Sequence, residues 1–337
     1  MVDKPIDLIT MGRVSMDLFA QNIGAPFEDV TGFDTSVGGS PVNIAIGTSR
    51  LGLKTAAFTA VGQDRVGDFV LRYLQNEGVI TDFIQRKPDS HTGLALVAIQ
   101  PPNNFPLVFY RDNPSDIHLT IDDAEMLPIA ESKAFQLSGT ALSRGTSRDS
   151  AIFLADQCKR LGVKTFLDLD LRPDQWTHPH SFRLNIKTIL NQMEVVIGTE
   201  EEFFALLAED PTPVLQGQAL GANQINELDE MIHSILTSAQ YPDAVVLKRG
   251  PRGASIFSKT NDVTDAAGFP VEVLNTVGAG DAFASGLIYG YIKGWDWYHC
   301  SRMGNACGAL VVTRHGCSKA MPYEQESLEF IEKHGGF

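Results

Sequence analysis

The stretch Asn275-Thr276-Val277-Gly278-Ala279-Gly280-Asp281-Ala282-Phe283 sets two glycines and a carboxylate at the start of a small-residue helix. Glycines there let the backbone turn tightly and come close to a ligand. The amides freed at a helix start form an anion site, which the helix dipole strengthens. Asp281 beside that site suits a general base that takes a proton from a hydroxyl while the amides of Gly278, Ala279 and Gly280 hold a transferring phosphoryl group. A plain glycine turn with an acid in the first helical turn has the same spacing, so the motif alone leaves both readings open. A second cluster, Gly38-Gly39-Ser40-Pro41-Val42-Asn43, again places paired glycines before a helix. Asn43 offers both a donor and an acceptor to a sugar hydroxyl, or else merely caps.

Other chemistries lose their support. No Gly-Lys dipeptide occurs, so there is no phosphate loop of the G-x-x-x-x-G-K-[ST] kind. Phe283 stands where a dinucleotide fingerprint needs its third glycine, and the protein-kinase H-R-D and D-F-G signatures are missing. Lys plus Arg is 27 and Asp plus Glu 41, a net charge of −14, which argues against nucleic acid as a partner. The sequence contains no run of ~20 apolar residues. Its start, MVDKPIDLIT, lacks the basic and apolar regions of a secretion signal. Cys158, Cys300, Cys307 and Cys317 are scattered and form no C-x-x-C pair, so a reducing cytoplasm is expected.

The elements that must position these residues alternate. Short apolar runs at 6–9, 56–59, 134–137, 165–167, 195–197 and 244–247 read as strands buried on both faces. Helical segments lie between them, one with Ser40 as its N-cap, Pro41 at its first position and Gly52 closing it. Pro270 to Leu274 reads as a strand before the glycine motif, 208–224 as an exposed loop, and 279–292, 296–312 and 323–334 as helices. The order predicts an α/β fold, a doubly wound and mainly parallel sheet with helices on both faces. Residues 14–36 and 91–115 break the rhythm. The second holds strand runs at 94–99 and 107–110 around Pro101-Pro102-Asn103-Asn104. We expect both pieces to form a small discontinuous β lid on a core of 1–13, 37–90 and 116–337. Exposed lid edges would suit a homodimer.

With Gly38-Gly39 and Asn43 near the start and Gly278-Ala279-Gly280-Asp281 near the end, the chain resembles the ribokinase-like (PfkB) carbohydrate kinases over roughly residues 5–322. The resemblance implies ATP-dependent phosphorylation of a sugar-like alcohol with Mg²⁺, and Asp281 as the base. It implies sugar contacts from Gly39, Ser40 and Asn43, and from Asp17, matched to a carboxylate at the end of the first strand. The loop Lys248-Arg249-Gly250-Pro251-Arg252-Gly253 is similar to the family's nucleotide loop, and Asn305 and Gly316 to Ala320 would flank adenine.

Two arginines bear on the substrate. Arg111 ends Phe105-Pro106-Leu107-Val108-Phe109-Tyr110-Arg111, and Arg172 lies in Asp168-Leu169-Asp170-Leu171-Arg172. The planar guanidinium is the favoured partner of a carboxylate, although Asp112 and Asp170 could equally take them as ion pairs. Together with Phe109 they resemble the sugar-acid kinases of the family, which implies 5-dehydro-2-deoxygluconate as substrate. The alternatives are 2-keto-3-deoxygluconate, a neutral sugar of the fructose kind, and a non-catalytic sugar-acid sensor. Two departures stand out. Asn275 is neutral where the family often has an Asp that helps bind a monovalent cation, which leaves a potassium requirement open. The family's Asn-x-x-Glu, which organises magnesium through water, reads Gly198-Thr199-Glu200-Glu201, so Glu201 is the expected glutamate.

Overall fold

A computed structural model describes residues 4–101, 104–236, 242–260 and 262–337. Its centre is an eight-stranded sheet. Across the sheet run Val263–Ala266, Ala254–Ser258, Ala244–Lys248, Val195–Thr199, Lys164–Asp168, Ser132–Ser138, Ile6–Met11 and Thr55–Phe58. The last six are parallel, and the first two form an antiparallel hairpin at one edge. The apolar strand runs are buried on both faces because neighbouring side chains alternate between two cores. Leu8, Phe166 and Val246 belong to one core, and Ile9, Leu167 and Val245 to the other. The fold is the expected α/β architecture, with a hairpin edge that the sequence pattern did not show.

Residues Met11, Ser138, Asp168, Thr199 and Lys248 all end parallel strands on one side. In such sheets ligands bind outside the carboxyl ends of the strands. A second sheet stands over that side, in the order Phe33–Gly38, Ser15–Ala20, Gly93–Val97, Leu107–Tyr110. Its strands come from the two segments that break the α/β rhythm. Leu107, Val108 and Tyr110 on its edge strand are exposed. Pro102 and Asn103, expected in a turn between the two strand runs, lie outside the described residues.

Several local expectations change. Pro270 to Leu274 is no strand, because Leu274 and Asn275 both send their amides to the Val312 carbonyl at a helix end. The 208–224 segment holds a short helix, Thr212–Leu215, and the start of a longer one, Ala222–Leu236. Gly39, not Ser40, is the N-cap of Ser40–Arg50, so Ser40 is the first helical residue and Pro41 the second. The C-terminal helices are Ala279–Ile292, Trp297–Val312 and Glu324–Lys333.

Candidate active site

The N-cap of Ala279–Ile292 is Gly278, in the left-handed region at φ 85°. A Cβ there would meet the Cys317 sulfur at 2.2 Å, so the tight turn depends on glycine for both conformation and space. Cys317 is buried, like the other three cysteines, and none is in a disulfide. Burial holds its thiol well above the usual range. Asp281 then falls in the first turn of that helix, as the motif suggested.

Asp281 is partly open to the cleft. Asn43, 238 positions away in sequence, donates from Nδ2 to its Oδ2 at 2.7 Å. Desolvation raises the Asp281 pKa, the Asp170 charge adds to that, and Asn43 and the nearby Ser40 hydroxyl work against it. A carboxylate tuned upward in this way is a better proton acceptor for an alcohol. Asn43 therefore fixes the orientation of the Asp281 carboxylate. Its Oδ1, buried and without a protein partner, is what it has left for a ligand.

Asp17 sits on the lid strand Ser15–Ala20 and not at the end of the first strand, which closes at Met11. Its Oδ1 accepts from Ser15 Oγ at 2.6 Å. Burial pushes its pKa up to about 6, against the pull of Ser15, Arg13 and Arg111. Gly38 explains how it fits, since a Cβ at that position would lie 1.7 Å from Asp17 Oδ2. Gly39, at φ 109°, lets the next turn pass the Arg13 carbonyl, which a Cβ would meet at 2.3 Å.

Lys248 reaches away from its loop into the cleft. Its Nζ lies 3.3 Å from Asp168 Oδ1 and 4.0 Å from Glu202 Oε2. A Cβ on Gly280 would stand 3.3 Å from that same Nζ. The ammonium therefore sits at the mouth of the anion site. Burial disfavours its charge, but Asp168, Glu202 and Asp281 more than compensate and raise its pKa. Burial in turn holds the Asp168 carboxyl up, against the pull of Lys248. Two glycines shape the rest of the loop. Gly253, at φ 95°, would clash at 2.1 Å with the Ala266 carbonyl if it carried a Cβ, and Gly250 is at φ 57°. Asn305 spends its Nδ2 on the Ala266 and Ala267 carbonyls, and Gly316 turns at φ 104°.

Glu201 is exposed on the helix Glu200–Leu207 and does not face the cleft. The neighbouring Glu202 does. It closes a capping box with Thr199 and accepts from the Leu171 amide at 2.9 Å. Among the described residues no cluster of three or more His, Cys, Asp or Glu side chains forms a metal cage. Lys248 stands between Asp168 and Glu202 and supplies the positive charge there.

The monovalent cation does not fit. Asn275 donates from Nδ2 to the Arg314 carbonyl at 2.6 Å and points at Gly316 O from 3.5 Å. Its Oδ1 is taken by the Val277 amide at 2.8 Å. An N–H group thus occupies the carbonyl oxygens that a hard cation would require.

Arg111 is not a free cation. Its partner is Asp116 rather than Asp112, through Nη2–Oδ1 at 2.7 Å and Nη1–Oδ2 at 3.0 Å. It also donates to the Val14 carbonyl and Gln175 Oε1. Arg172 is half-exposed at the cleft, 3.5 Å from Asp170 Oδ1. Asp170 is held at φ 38°, a conformation uncommon for a residue other than glycine. It accepts from Ser138 and Thr140 and also faces Arg13, a buried arginine that the motif reading passed over. Burial alone would raise the Asp170 pKa, but Arg13, Arg172 and the two hydroxyls bring it down to about 2. Phe109, half-buried on the lid, lies over the Arg13 guanidinium at 5.5 Å.

Comparison with known proteins gives the family. The chain belongs to the pfkB family carbohydrate kinases, whose family model matches residues 6–324, and is by class an ATP-dependent sugar kinase. It is 35% identical over 336 residues to the 5-dehydro-2-deoxygluconokinase of Geobacillus kaustophilus, covering 98% of this chain and 95% of that one. A PfkB protein from Polaromonas sp. superimposes with a TM-score of 0.74 at 25% identity, covering 93% of this chain and 98% of its own. A protein described as a ribokinase II from E. coli, solved with ATP and Mg²⁺, does so with a TM-score of 0.81 at 23% identity, covering 98% and 100%.

Proposed function

We propose that this kinase transfers the γ-phosphoryl group of ATP to the primary hydroxyl of 5-dehydro-2-deoxygluconate, a step of myo-inositol breakdown in the cytoplasm. The observation that carries the reading is the pair of cleft arginines, Arg13 and Arg172, which share the single carboxylate of Asp170. Guanidinium donors on that wall can accept a second carboxylate, which a neutral sugar does not need. The name of the Geobacillus relative supports the same substrate.

In this reading the sugar acid lies between the lid and the strand ends, with Asp17 accepting from a hydroxyl. Asp281, held by Asn43, takes the proton of the attacking hydroxyl. The Gly278 to Asp281 amides and Lys248 carry the charge on the moving phosphoryl group, so catalysis is mostly positioning and electrostatics. Asp168 and Glu202, the acidic groups around Lys248, would lie near a magnesium ion held mainly by ATP phosphates and water, which would neutralise charge on the phosphates. The second sheet acts as a lid that limits ATP hydrolysis by water. Its exposed Leu107, Val108 and Tyr110 are the face that a second copy would cover. Among the described residues no helix is long and apolar enough to cross a membrane.

The test is ADP release with Mg-ATP against 5-dehydro-2-deoxygluconate, 2-keto-3-deoxygluconate, fructose and ribose. The highest kcat/KM for the first is the expected result. Preference for a neutral sugar would overturn the substrate. Tight binding of the acid without ADP release would make the protein a sensor.

A further inference from the structure

The geometry points to Arg13, and not to the lid arginine Arg111, as the residue that grips the carboxylate of the sugar acid and selects it over neutral sugars. This rests on the sugar-acid reading above. Arg13 lies directly after Gly12, where the chain leaves the first core strand for the lid. It is 8% exposed, and its Nε is buried without a hydrogen-bond partner. A buried guanidinium left short of acceptors is costly, and a ligand oxygen would relieve that cost.

The neighbours of Arg13 define what it can take. Asp170 Oδ2 is 3.5 Å from Nε, too poorly aligned to accept a hydrogen bond, and Asp170 divides its charge with Arg172. Phe109, on the second sheet, sets its ring centroid 5.5 Å from the guanidinium carbon. A small cavity beside it is lined by Gly12, Thr140, Ser143 and Gln175. A planar two-oxygen anion suits a buried guanidinium whose Nε lacks an acceptor. Arg111 borders the same cavity, but its charge is already matched by Asp116 in a buried bidentate pair. Arg172 is 44% exposed, faces Asp170 and donates to the Leu171 carbonyl at 3.2 Å. Of the three arginines, Arg13 combines burial with unused donors.

The experiment compares kcat/KM for 5-dehydro-2-deoxygluconate and for its uncharged primary amide, in the wild type and in Arg13→Met, Arg13→Lys and Arg172→Met. Melting temperature and the KM for ATP are recorded for each. The wild type prefers the acid. Arg13→Met loses roughly ten- to hundredfold more on the acid than on the amide, the range of one charged hydrogen bond, while its KM for ATP holds. Arg13→Lys, which keeps the charge and so guards against a folding failure, loses several-fold on the acid alone. Equal losses on acid and amide in either variant would make Arg13 structural and overturn the inference. So would a collapse of the acid preference in Arg172→Met with Arg13→Met unaffected. A wild type that does not tell acid from amide would instead overturn the substrate reading on which the inference stands.

Discussion

Replacing Asp116 by alanine tests the finding that Arg111 serves the fold. Asp116 and Arg111 are 3% and 5% exposed at their side chains. The carboxylate accepts two hydrogen bonds from Arg111 and one from the Val14 amide at 2.9 Å. Asp116→Ala therefore leaves a buried guanidinium without its counter-charge, and the Val14 amide without its acceptor at the entrance to the lid. Removing one partner of a buried pair costs about 3–5 kcal/mol. Unfolding entropy near the midpoint is ~2.1 cal/mol/K per residue, or about 0.7 kcal/mol/K for 337 residues, so the melting temperature should fall by about 4–7 °C. Scanning calorimetry reads this directly. The double variant Arg111→Met with Asp116→Leu should recover most of the loss, because a well-packed apolar pair removes the stranded charge. A single variant that melts within about 1 °C of wild type would refute the reasoning. So would an Arg111→Met variant of unchanged stability that had lost affinity for the acid alone.

Asp281→Asn should lower kcat by roughly 10²–10⁴ with little change in melting temperature, the range usual for a general base; unchanged turnover would remove Asp281 from the role. Asp17, with its pKa near 6 and Arg13, Arg111 and Asp281 facing it, ionises late. Protonation below that pH takes away its acceptor, so kcat/KM should fall on the acid side with an apparent pKa near 6, and Asp17→Asn should abolish that limb. The same raised pKa means that the folded state holds the proton more tightly than the unfolded chain does. Asp17 should therefore lower stability as pH rises from about 4 to 6, and calorimetry of wild type against Asp17→Asn across that range checks the sign. Gly38→Ala should displace Asp17 and cut kcat/KM for the sugar while leaving the KM for ATP near wild type, since its Cβ would lie 1.7 Å from the carboxylate. Replacing potassium with an organic cation should leave the rate unchanged, because Asn275 already donates to the Arg314 carbonyl; strong potassium activation would contradict that geometry.

Some of this site was legible without coordinates because its physics is local. Gly278-Ala279-Gly280-Asp281 places a carboxylate next to free amides through the geometry of one helix start, and a sequence carries that geometry whole. The apolar strand runs predicted the parallel sheet for the same reason: burial on both faces demands unbroken apolar runs. The hairpin edge and the false strand at 270–274 were not legible, since the choice of edge neighbour is made by distant segments. Glu201 and Glu202 differ by one position, which on a helix is a turn of ~100°. Only docking of that helix decides which acid meets Lys248. Arg13 follows a glycine at a strand end and has no flanking pattern that marks it. Its meaning comes from Asp170 and Phe109, brought beside it by the sheet and the lid.

The parallel strand runs, the glycine-led helix start and its carboxylate were therefore readable along the chain, because each needs only neighbours in sequence. Tertiary structure alone decided which charges are spent and which remain free. Arg111 and Arg13 are the same residue type, each beside the lid, yet one is matched by a buried carboxylate and the other is left with an unpartnered Nε. That difference depends on distances between segments far apart in the chain, and at these distances a few ångströms decide whether an arginine holds the fold together or waits for a ligand.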